Sequence, residues 1–209
     1  MSKRAIQRER TRRYFIDAAK EIVKSQGLEQ VSARNVADLA GYSYATIYNY
    51  FNDINDLLWH VTVDLLREMG QALNQIQLQG DDPVEWLKQG YRAYIRYYLE
   101  YPAVFRFLFH SQIGQPTPEV MAILQSNLVG TPQEQVLQEC VSRGLMVVED
   151  IPVVASMLVN LVHGLLALHF AAVQQITREQ LFVGMEMYVD FLLRKLQAAG
   201  NERIGGKDQ

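Results

Sequence analysis

The sequence predicts an all-α protein in which a small N-terminal three-helix domain of the helix-turn-helix type precedes a larger helical domain. Apolar residues recur at steps of three and four along the 209-residue chain, which is the period of amphipathic helices, and no convincing strand alternation is present. Capping residues stand at the predicted helix starts, and glycine or proline at the stops. We expect the first domain to span residues 1–52, the second residues 53–200, and a flexible tail residues 201–209.

The first domain is built from one longer helix and two short ones. The longer helix is predicted over about residues 8–25, and the short helices over 33–40 and 44–50. Ser32 is placed to cap the first short helix. The turn between the short helices contains Gly41, and two short helices joined by such a turn form a helix-turn-helix.

The second domain consists of longer helices, predicted over residues 54–78, 84–101, 151–174 and 178–199. Asp82 precedes a first-turn proline, which is the order found at a capped helix start. Thr177 with Gln180 has the spacing of a capping box. A break is predicted at Gly130, with a new helix start at Thr131.

Charge is unevenly distributed along the chain. The net charge is only -3, but residues 1–13 hold six basic residues and one acid. Residues 1–60 carry a balance of +2, whereas residues 61–209 carry -5. A basic front end on an acidic body localises affinity for an anion at the N-terminus.

Several classes of protein are disfavoured by the residues present. The single cysteine, Cys140, excludes a disulfide within the chain and a cysteine-based metal site. The four histidines lack the spacing of metal ligands. No phosphate loop, dinucleotide fingerprint or nucleophile motif is present, so we expect neither an enzyme nor a cofactor. The basic N-terminus lacks the apolar stretch of a secretion signal, which favours the cytoplasm.

Residues 151–173 contain no Lys, Arg, Asp or Glu and are long enough to span a bilayer. However, Ser156, Asn160 and His163 fall on one stripe of the predicted helix. A helix that is apolar nearly all round is also found in the core of a soluble protein or at a subunit interface. Because nothing else in the chain resembles a membrane protein, we interpret this segment as a helix of a soluble protein and expect no membrane partner.

The second short helix carries side chains that suit DNA. Ser43 is placed to cap it, so that free backbone N–H groups point outward, where a phosphate binds. Hydroxyl and amide groups on or near this helix suit phosphates and base edges. They belong to Thr46, Tyr48, Asn49 and Tyr50. A small helical domain with a solvated polar face has a similar composition, so composition alone leaves both interpretations open.

Basic residues lie on both sides of the predicted interface. Arg34, near the start of the first short helix, suits paired hydrogen bonds to a guanine edge. The basic N-terminal arm supplies attraction for DNA of any sequence. Its predicted contacts with DNA are Lys3, Arg4 and Arg8.

A specific motif identifies the N-terminal helix-turn-helix domain, called the head below. The run from Gly41 to Phe51 is Gly-Tyr-Ser-Tyr-Ala-Thr-Ile-Tyr-Asn-Tyr-Phe, which follows a Gly-x-Ser-x-x-Thr-[Ile/Leu]-Tyr-x-Tyr-Phe pattern. Val-Ser-Ala-Arg-Asn-Val-Ala stands ahead of it at residues 31–37, and Asp-Leu-Leu follows at 56–58. With these motifs, residues 8–58 resemble the DNA-binding domain of TetR-type (tetracycline-repressor-like) regulators. The family implies a helix-turn-helix head and an all-helical regulatory domain.

In the resembled family, the second short helix is the recognition helix, and the resemblance implies roles for several of its residues. Thr46 and Tyr48 would mainly hold phosphate, while Tyr44, Ala45 and Tyr50 would face bases. The family commonly has a basic or small polar residue in place of Tyr44, and a glycine in place of Ala45.

The sequence on either side of the recognition helix also bears on DNA binding. Arg34 falls where family members often read a base from the supporting helix. The segment 52–55, Asn-Asp-Ile-Asn, lacks the lysine that the family commonly places after the aromatic pair. The resemblance therefore does not imply the phosphate contact of that lysine for this chain, and the basic arm becomes more important.

The two long helices nearest the C-terminus are the predicted dimer interface. In the resembled family, two such helices from each subunit pack as an intersubunit four-helix bundle. A dimer also matches a DNA site with two half-sites. The predicted interface residues are Ala155, Asn160, Gly164, Ala167, Met185, Tyr188 and Leu192. Ordinary packing within one subunit is the alternative.

The helix over 84–101 has two apolar faces, as a central helix has when one face packs and the other lines a cavity. An aromatic-rich segment follows it. An aromatic pocket with a few polar groups suits an apolar or aromatic small molecule. The predicted lining is Trp86, Gly90, Tyr94, Tyr97, Phe105, Phe109, His110 and His163. Each of these aromatic residues can equally be ordinary core.

The sequence and the resemblance therefore predict a cytoplasmic transcription regulator that binds a double-stranded DNA operator as a homodimer. Repression, relieved by an apolar or aromatic small molecule, is the default mode. The alternative is a DNA-binding adaptor controlled by a partner protein, which would share the head and the dimer helices but lack an enclosed cavity.

Overall fold

The computed structural model describes residues 2–126 and 132–205, and every regular element within these ranges is helical, which confirms the predicted all-α class. Short 3₁₀ helices lie at Leu28–Gln30, Tyr44–Asn49 and Val148–Asp150. The α-helices are Lys3–Gln26 (α1), Ala33–Ala40 (α2), Ile54–Asn74 (α3), Pro83–Glu100 (α4), Pro102–His110 (α5), Pro118–Ser126 (α6), Pro132–Ser142 (α7), Ile151–Phe170 (α8) and Arg178–Gly205 (α9).

Two compact units divide the chain. The first comprises Met1–Gly70 and Glu100–Val129, and the second comprises Gln71–Leu99 and Gly130–Gln209. This division groups the first part of α3 with the helix-turn-helix. The functional boundary between residues 52 and 53 remains a prediction.

Phe15 of α1 lies at the centre of the core beneath the helix-turn-helix. Its side chain is fully buried, and its ring centroid lies 5.2 Å from that of Tyr42, 5.7 Å from Tyr50 and 6.4 Å from Phe51. Clustered aromatic rings at these distances stabilise one another beyond their buried area. Through Phe15, α1 packs against both the turn after α2 and the segment that follows the 3₁₀ helix Tyr44–Asn49.

Local signals fix the ends of α2, as predicted. The Ser32 hydroxyl accepts a hydrogen bond from the Asn35 N–H at 3.1 Å, which satisfies one of the free donors of the first turn. Gly41 adopts the left-handed conformation, with φ 78°, where residues with a Cβ are strained. The eight-residue helix therefore stops at the turn that leads to Tyr44.

One apolar face of α4 forms part of the core of the second unit. Leu87, Tyr91, Ile95 and Tyr98 are buried on this face. Helices α7, α8 and α9 complete the core with Leu137, Val154, Leu158, Leu166, Leu181, Met185 and Val189. A neighbouring face of α4, which includes Trp86, Gly90 and Tyr97, is half-buried.

Helix α9 begins at a reciprocal capping box. The Thr177 N–H donates to Gln180 Oε1 at 2.8 Å, and the Gln180 N–H donates to Thr177 Oγ1 at 3.1 Å, as the sequence predicts. The helix continues to Gly205, past the predicted start of the tail at residue 201. The remainder of that tail, and the predicted break and helix start at residues 130 and 131, lie outside the described residues.

Two other helix boundaries differ from those predicted. Helix α1 begins at Lys3 rather than near residue 8, because the Ser2 hydroxyl caps it by accepting from the Ala5 N–H at 3.2 Å. Helix α3 ends at Asn74, four residues before the predicted end at residue 78.

In the part of the chain that the structure describes, one helical stretch, Val148–Phe170, is long and apolar enough to cross a membrane by length and composition alone. Its mean hydropathy reaches 2.0. A single stretch of this kind also occurs in soluble all-α proteins. Here α8 packs against α7 and α9 within the second unit.

Candidate nucleic-acid interface

The helix-turn-helix presents a polar and aromatic surface on a buried apolar support. Val36 and Ala37 of α2 and Ile47 of the 3₁₀ helix are buried. On the outer side, Arg34, Ser43, Tyr44, Ala45, Tyr48 and Asn49 are exposed, and Thr46 and Tyr50 are half-buried. The structure therefore brings the predicted DNA-contacting residues of the turn region together on two consecutive short elements.

Ser43 does not cap the second short helix, contrary to the prediction. Its side chain makes no capping hydrogen bond, and its Oγ lies 2.8 Å from Thr46 Oγ1. The element that follows is a 3₁₀ helix rather than the predicted α-helix, and the Thr46 N–H donates to the Ser43 carbonyl at 2.9 Å. The tighter winding places side chains three residues apart directly above one another, so the two hydroxyls form one polar group at the surface.

Tyr44 and Tyr48 form an exposed aromatic pair on the same 3₁₀ helix. Their ring centroids are 6.4 Å apart, at an interplanar angle of 89°. Tyr44 is 60% exposed and Tyr48 is 50% exposed. Their hydroxyl groups suit phosphates, and their rings suit thymine methyl groups.

The predicted basic arm is not a separate segment, because its residues form the first turns of α1. Lys3 and Arg4 are exposed there, in keeping with a role in attraction for DNA. Arg8, in contrast, donates from Nη2 to the Asn49 carbonyl at 2.7 Å, and its guanidinium lies 4.9 Å from the centre of the Tyr50 ring. Arg8 is exposed as well, so its predicted contact with DNA stays a prediction beside this contact with the protein.

Arg12 also contacts the protein rather than solvent alone. Its Nη2 lies 2.6 Å from His60 Nε2, and its guanidinium lies 5.5 Å from the centre of the Phe51 ring. Burial and the neighbouring Arg12 charge lower the pKa of His60. The sequence predicts Arg12 only as one of the basic residues of the N-terminal arm, although its spacing of four residues from Arg8 places both on one face of a helix.

Ion pairs join α1 to α3 farther along. Arg13 and Lys20 both donate to the carboxylate of Asp64, and Lys24 donates to Glu68 at 2.5 Å. Burial alone would raise the pKa of Asp64, but the hydrogen bonds from Arg13 and Lys20 outweigh it and hold that pKa below its usual value. These pairs hold α1, which carries the basic arm, against α3, which follows the helix-turn-helix.

In the second unit, Tyr94 and His163 are the predicted pocket residues that meet. The Tyr94 hydroxyl lies 2.6 Å from His163 Nε2, and the rings stack with centroids 5.8 Å apart. Burial raises the pKa of Tyr94 to about 12 and lowers that of His163. Both side chains are therefore neutral near pH 7, and their contact is a neutral hydrogen bond.

Trp86 makes a contact with the backbone that the sequence does not predict. Its indole N–H donates to the Gly80 carbonyl at 3.0 Å, and the Arg143 guanidinium lies 5.7 Å from its ring centre. Trp86 thus fixes the segment before α4, because its only polar hydrogen is already used there. A Cβ added at Gly90 would meet no atom within 4 Å, so close packing does not require glycine at that position.

The other predicted pocket residues differ in burial. Tyr97 packs edge-on against Tyr98 with ring centroids 5.3 Å apart. In the first unit, Phe105 is buried, whereas Phe109 is 38% exposed and His110 is exposed. Phe109 and His110 are therefore not enclosed as the lining of a cavity would be.

The residues predicted for the dimer interface also differ in burial. Asn160, Gly164 and Tyr188 are exposed, and Ala155, Ala167 and Leu192 are half-buried. Met185 is fully buried within its own subunit, because its position on α9 faces the core. A second set of large apolar side chains is exposed on these two helices, at Val153, Met157, Leu168, Val183, Met187 and Phe191.

A shallow apolar groove lies on this exposed face of the second unit. It is lined by Leu161, Gly164, Leu165, Ala167, Leu168 and Tyr188. Over the described ranges, no group of three or more His, Cys, Asp or Glu side chains is arranged to hold a metal ion.

Residues 15–61 match the family model described as bacterial regulatory proteins of the tetR family. Over 77 residues, the chain is 32% identical to an uncharacterized HTH-type transcriptional regulator of Haemophilus influenzae. That match spans 36% of this chain and 36% of the length of the relative.

Solved structures resemble most of the chain. RolR, in complex with the ligand resorcinol, superposes with a TM-score of 0.66 at 22% identity, covering 95% of this chain and 94% of that one. A TetR-family regulator from Streptomyces coelicolor gives a TM-score of 0.68 at 17% identity, covering 95% and 86%. One from Marinobacter aquaeolei gives 0.61 at 24% identity, covering 88% and 96%. Identities this low show a shared fold.

Proposed function

We propose that this chain, whose residues 15–61 match the tetR family model, is a cytoplasmic transcription regulator of that family that binds double-stranded DNA through residues 1–52. The observation that carries this proposal is the exposed face of the helix-turn-helix. Arg34, Tyr44 and Tyr48 are exposed above the buried Val36 and Ile47. An unpaired arginine and two tyrosines on a rigid support suit contacts to base edges and phosphates.

We propose further that the protein acts as a homodimer. The exposed apolar side chains of α8 and α9 form a surface whose contact with water is unfavourable. Apolar surfaces of this kind usually bind a partner. A second copy accounts for this face and for the hydropathy of α8 without a membrane. Two heads related by a two-fold axis then match a palindrome with half-sites about 34–36 Å apart, or multiples of that spacing.

The proposed effector is an uncharged apolar or aromatic small molecule. The half-buried aromatic face of α4 and the neutral Tyr94–His163 pair support this class, because they offer apolar surface and hydrogen bonds without a charge. The resorcinol complex of RolR is consistent with a hydroxylated aromatic ligand. Repression follows as the default mode, if the effector favours a dimer whose heads no longer match the operator.

DNA selection tests the core of this proposal. The purified protein is mixed with genomic fragments at physiological salt, and the retained fragments are sequenced. We expect a shared palindrome with half-sites about one helical turn apart. Fragments without a common site would contradict sequence-specific binding by the free protein.

A thermal-shift panel tests the effector. Uncharged phenols and matched benzoates are added separately, and the melting temperature of the dimer is measured. A ligand of the native state raises that temperature, and we expect phenols but not benzoates to do so. A panel in which no small molecule stabilises the protein would favour control by a partner protein.

A further inference from the structure

The end of the 3₁₀ helix Tyr44–Asn49 is held from outside by α1. At a helix end the last carbonyl groups lack partners within the helix. The Ile47 carbonyl accepts from both the Tyr50 and the Phe51 N–H, at 3.0 and 3.1 Å. The Asn49 carbonyl accepts from Arg8 Nη2 at 2.7 Å. A cationic donor suits this position, because the C-terminal carbonyls of a helix carry partial negative charge.

The same guanidinium contacts the next residue. Arg8 Cζ lies 4.9 Å from the centre of the Tyr50 ring, within the range of a cation–π interaction. A planar guanidinium combines a directed hydrogen bond with stacking, which an ammonium group does not. Arg8 therefore fixes both the backbone at Asn49 and the ring of Tyr50.

Two further residues extend this contact along one face of α1. Arg12 lies over the Phe51 ring, and the Phe15 ring packs against Tyr50 and Phe51. Positions 8, 12 and 15 follow one another at steps of four and three, so they form a single stripe on a helix. This stripe runs along residues 49–51.

We propose that Arg8 is a positioning residue for base reading: it holds the end of the 3₁₀ helix so that Tyr44 and Tyr48 meet the DNA in one register. This inference rests on the proposed DNA-binding function. It differs from the role predicted for a basic arm, which is contact with phosphates regardless of sequence. A loss of Arg8 then lowers discrimination between DNA sequences rather than the overall attraction for DNA.

Binding measurements separate these two roles. Arg8→Ala is compared with Arg10→Ala, a matched control, because Arg10 is an exposed arginine on the same helix. Affinity for the selected site and for unrelated DNA is measured at several salt concentrations. For Arg8→Ala we expect about tenfold weaker binding to the selected site and a nearly unchanged salt slope. A phosphate contact would instead weaken both DNAs equally and reduce the slope by about 0.9 for each subunit of the dimer, which would overturn the proposal.

Hydrogen exchange tests the proposal without DNA. In Arg8→Ala we expect the Tyr50 and Phe51 amides to exchange about tenfold faster, since local opening becomes easier. In Arg10→Ala these amides should keep the wild-type rate. Arg8→Lys, which keeps the charge but loses the planar stacking, should fall between the two. Unchanged exchange in Arg8→Ala overturns the proposal, even if the wild-type protein selects no DNA site and the proposed function itself fails.

Discussion

Arg13 and Asp64 form a doubly hydrogen-bonded ion pair between α1 and α3, with Arg13 Nη1 2.5 Å from Oδ1 and Nη2 2.6 Å from Oδ2. Lys20 Nζ lies 2.6 Å from the same carboxylate, whose side chain is only 13% exposed. One acid on α3 thus neutralises two cations of α1. Removal of that acid leaves two partly buried cations without their main partner, so its loss should matter more than that of an exposed ion pair.

Asp64→Asn should lower the free energy of unfolding by about 2 kcal/mol, because hydrogen bonds to charged groups contribute about 1.5–3 kcal/mol each and only part is lost. Urea unfolding of the purified protein measures this change. Asp17→Asn is the matched control, since Asp17 also pairs with Arg13 but is 48% exposed. We expect a control effect below about 1 kcal/mol. Equal effects of the two substitutions would show that burial adds nothing to the pair.

The same pair predicts how stability responds to acid. The pKa of Asp64 is held below its ordinary value of 3.8 in the folded protein. Between the two values the unfolded chain binds the proton and the folded chain does not, so stability falls as pH drops. The contribution is fully present above pH 3.8 and is lost as pH falls through the lower, folded value. Below pH 4, the wild-type protein should therefore lose stability more steeply than Asp64→Asn; parallel curves would contradict this assignment.

Sequence periodicity and local caps predicted the helices well, because these signals act within a few residues. Ser32, Gly41 and the Thr177–Gln180 box all mark the element ends that the structure has. The motif from Gly41 to Phe51 likewise located the candidate interface, since its alternation of buried Ile47 and exposed tyrosines is local.

Contacts between residues far apart in the chain could not be predicted in this way. The partners of Arg8 and Arg12 lie about forty residues or more away, at Asn49 and His60, and a basic run gives no sign of which of its cations bind the protein. The sequence also predicted Ser43 as a helix cap, but its side chain makes no capping hydrogen bond. Periodicity over only six residues does not distinguish an α-helix from a 3₁₀ helix, and this segment is a 3₁₀ helix.

Arg34→Ala should relax specificity at one base position of the operator. Arg34 is exposed on α2, and loss of a paired contact to guanine reduces discrimination at that position by about 1–3 kcal/mol. Binding to operators with a substitution at each position, measured at fixed salt, identifies the base. Arg10→Ala, compared on the same DNAs, should leave the sequence preference intact. Uniform weakening by Arg34→Ala on every sequence would mean that Arg34 contacts phosphate.

His163 predicts a second range of pH dependence, nearer neutrality. Burial lowers the pKa of His163 from 6.5, so the unfolded chain takes up a proton just below pH 6.5 while the folded chain resists it. Stability is fully present above pH 6.5 and falls as pH drops from there towards the folded value. His163→Gln should flatten the stability curve between pH 6.5 and 5, measured by urea unfolding. A wild-type slope in His163→Gln would show that other groups cause it.

Gly164→Leu should weaken the proposed dimer. Gly164 is exposed within the subunit, where an added Cβ would meet no atom within 4 Å, and it lines the apolar groove on α8. A leucine there leaves the subunit itself unstrained and gains helix propensity, but it would hold apart the two subunit surfaces that the proposed dimer brings together. We expect the dissociation constant of the dimer to rise at least about tenfold, which corresponds to about 1.4 kcal/mol, in sedimentation experiments over a range of concentrations. Gly70→Leu on α3 is the matched control, because that glycine also has open space around its Cβ position. A dimer unchanged by Gly164→Leu, together with a normal melting temperature, would place the interface on another face of the molecule.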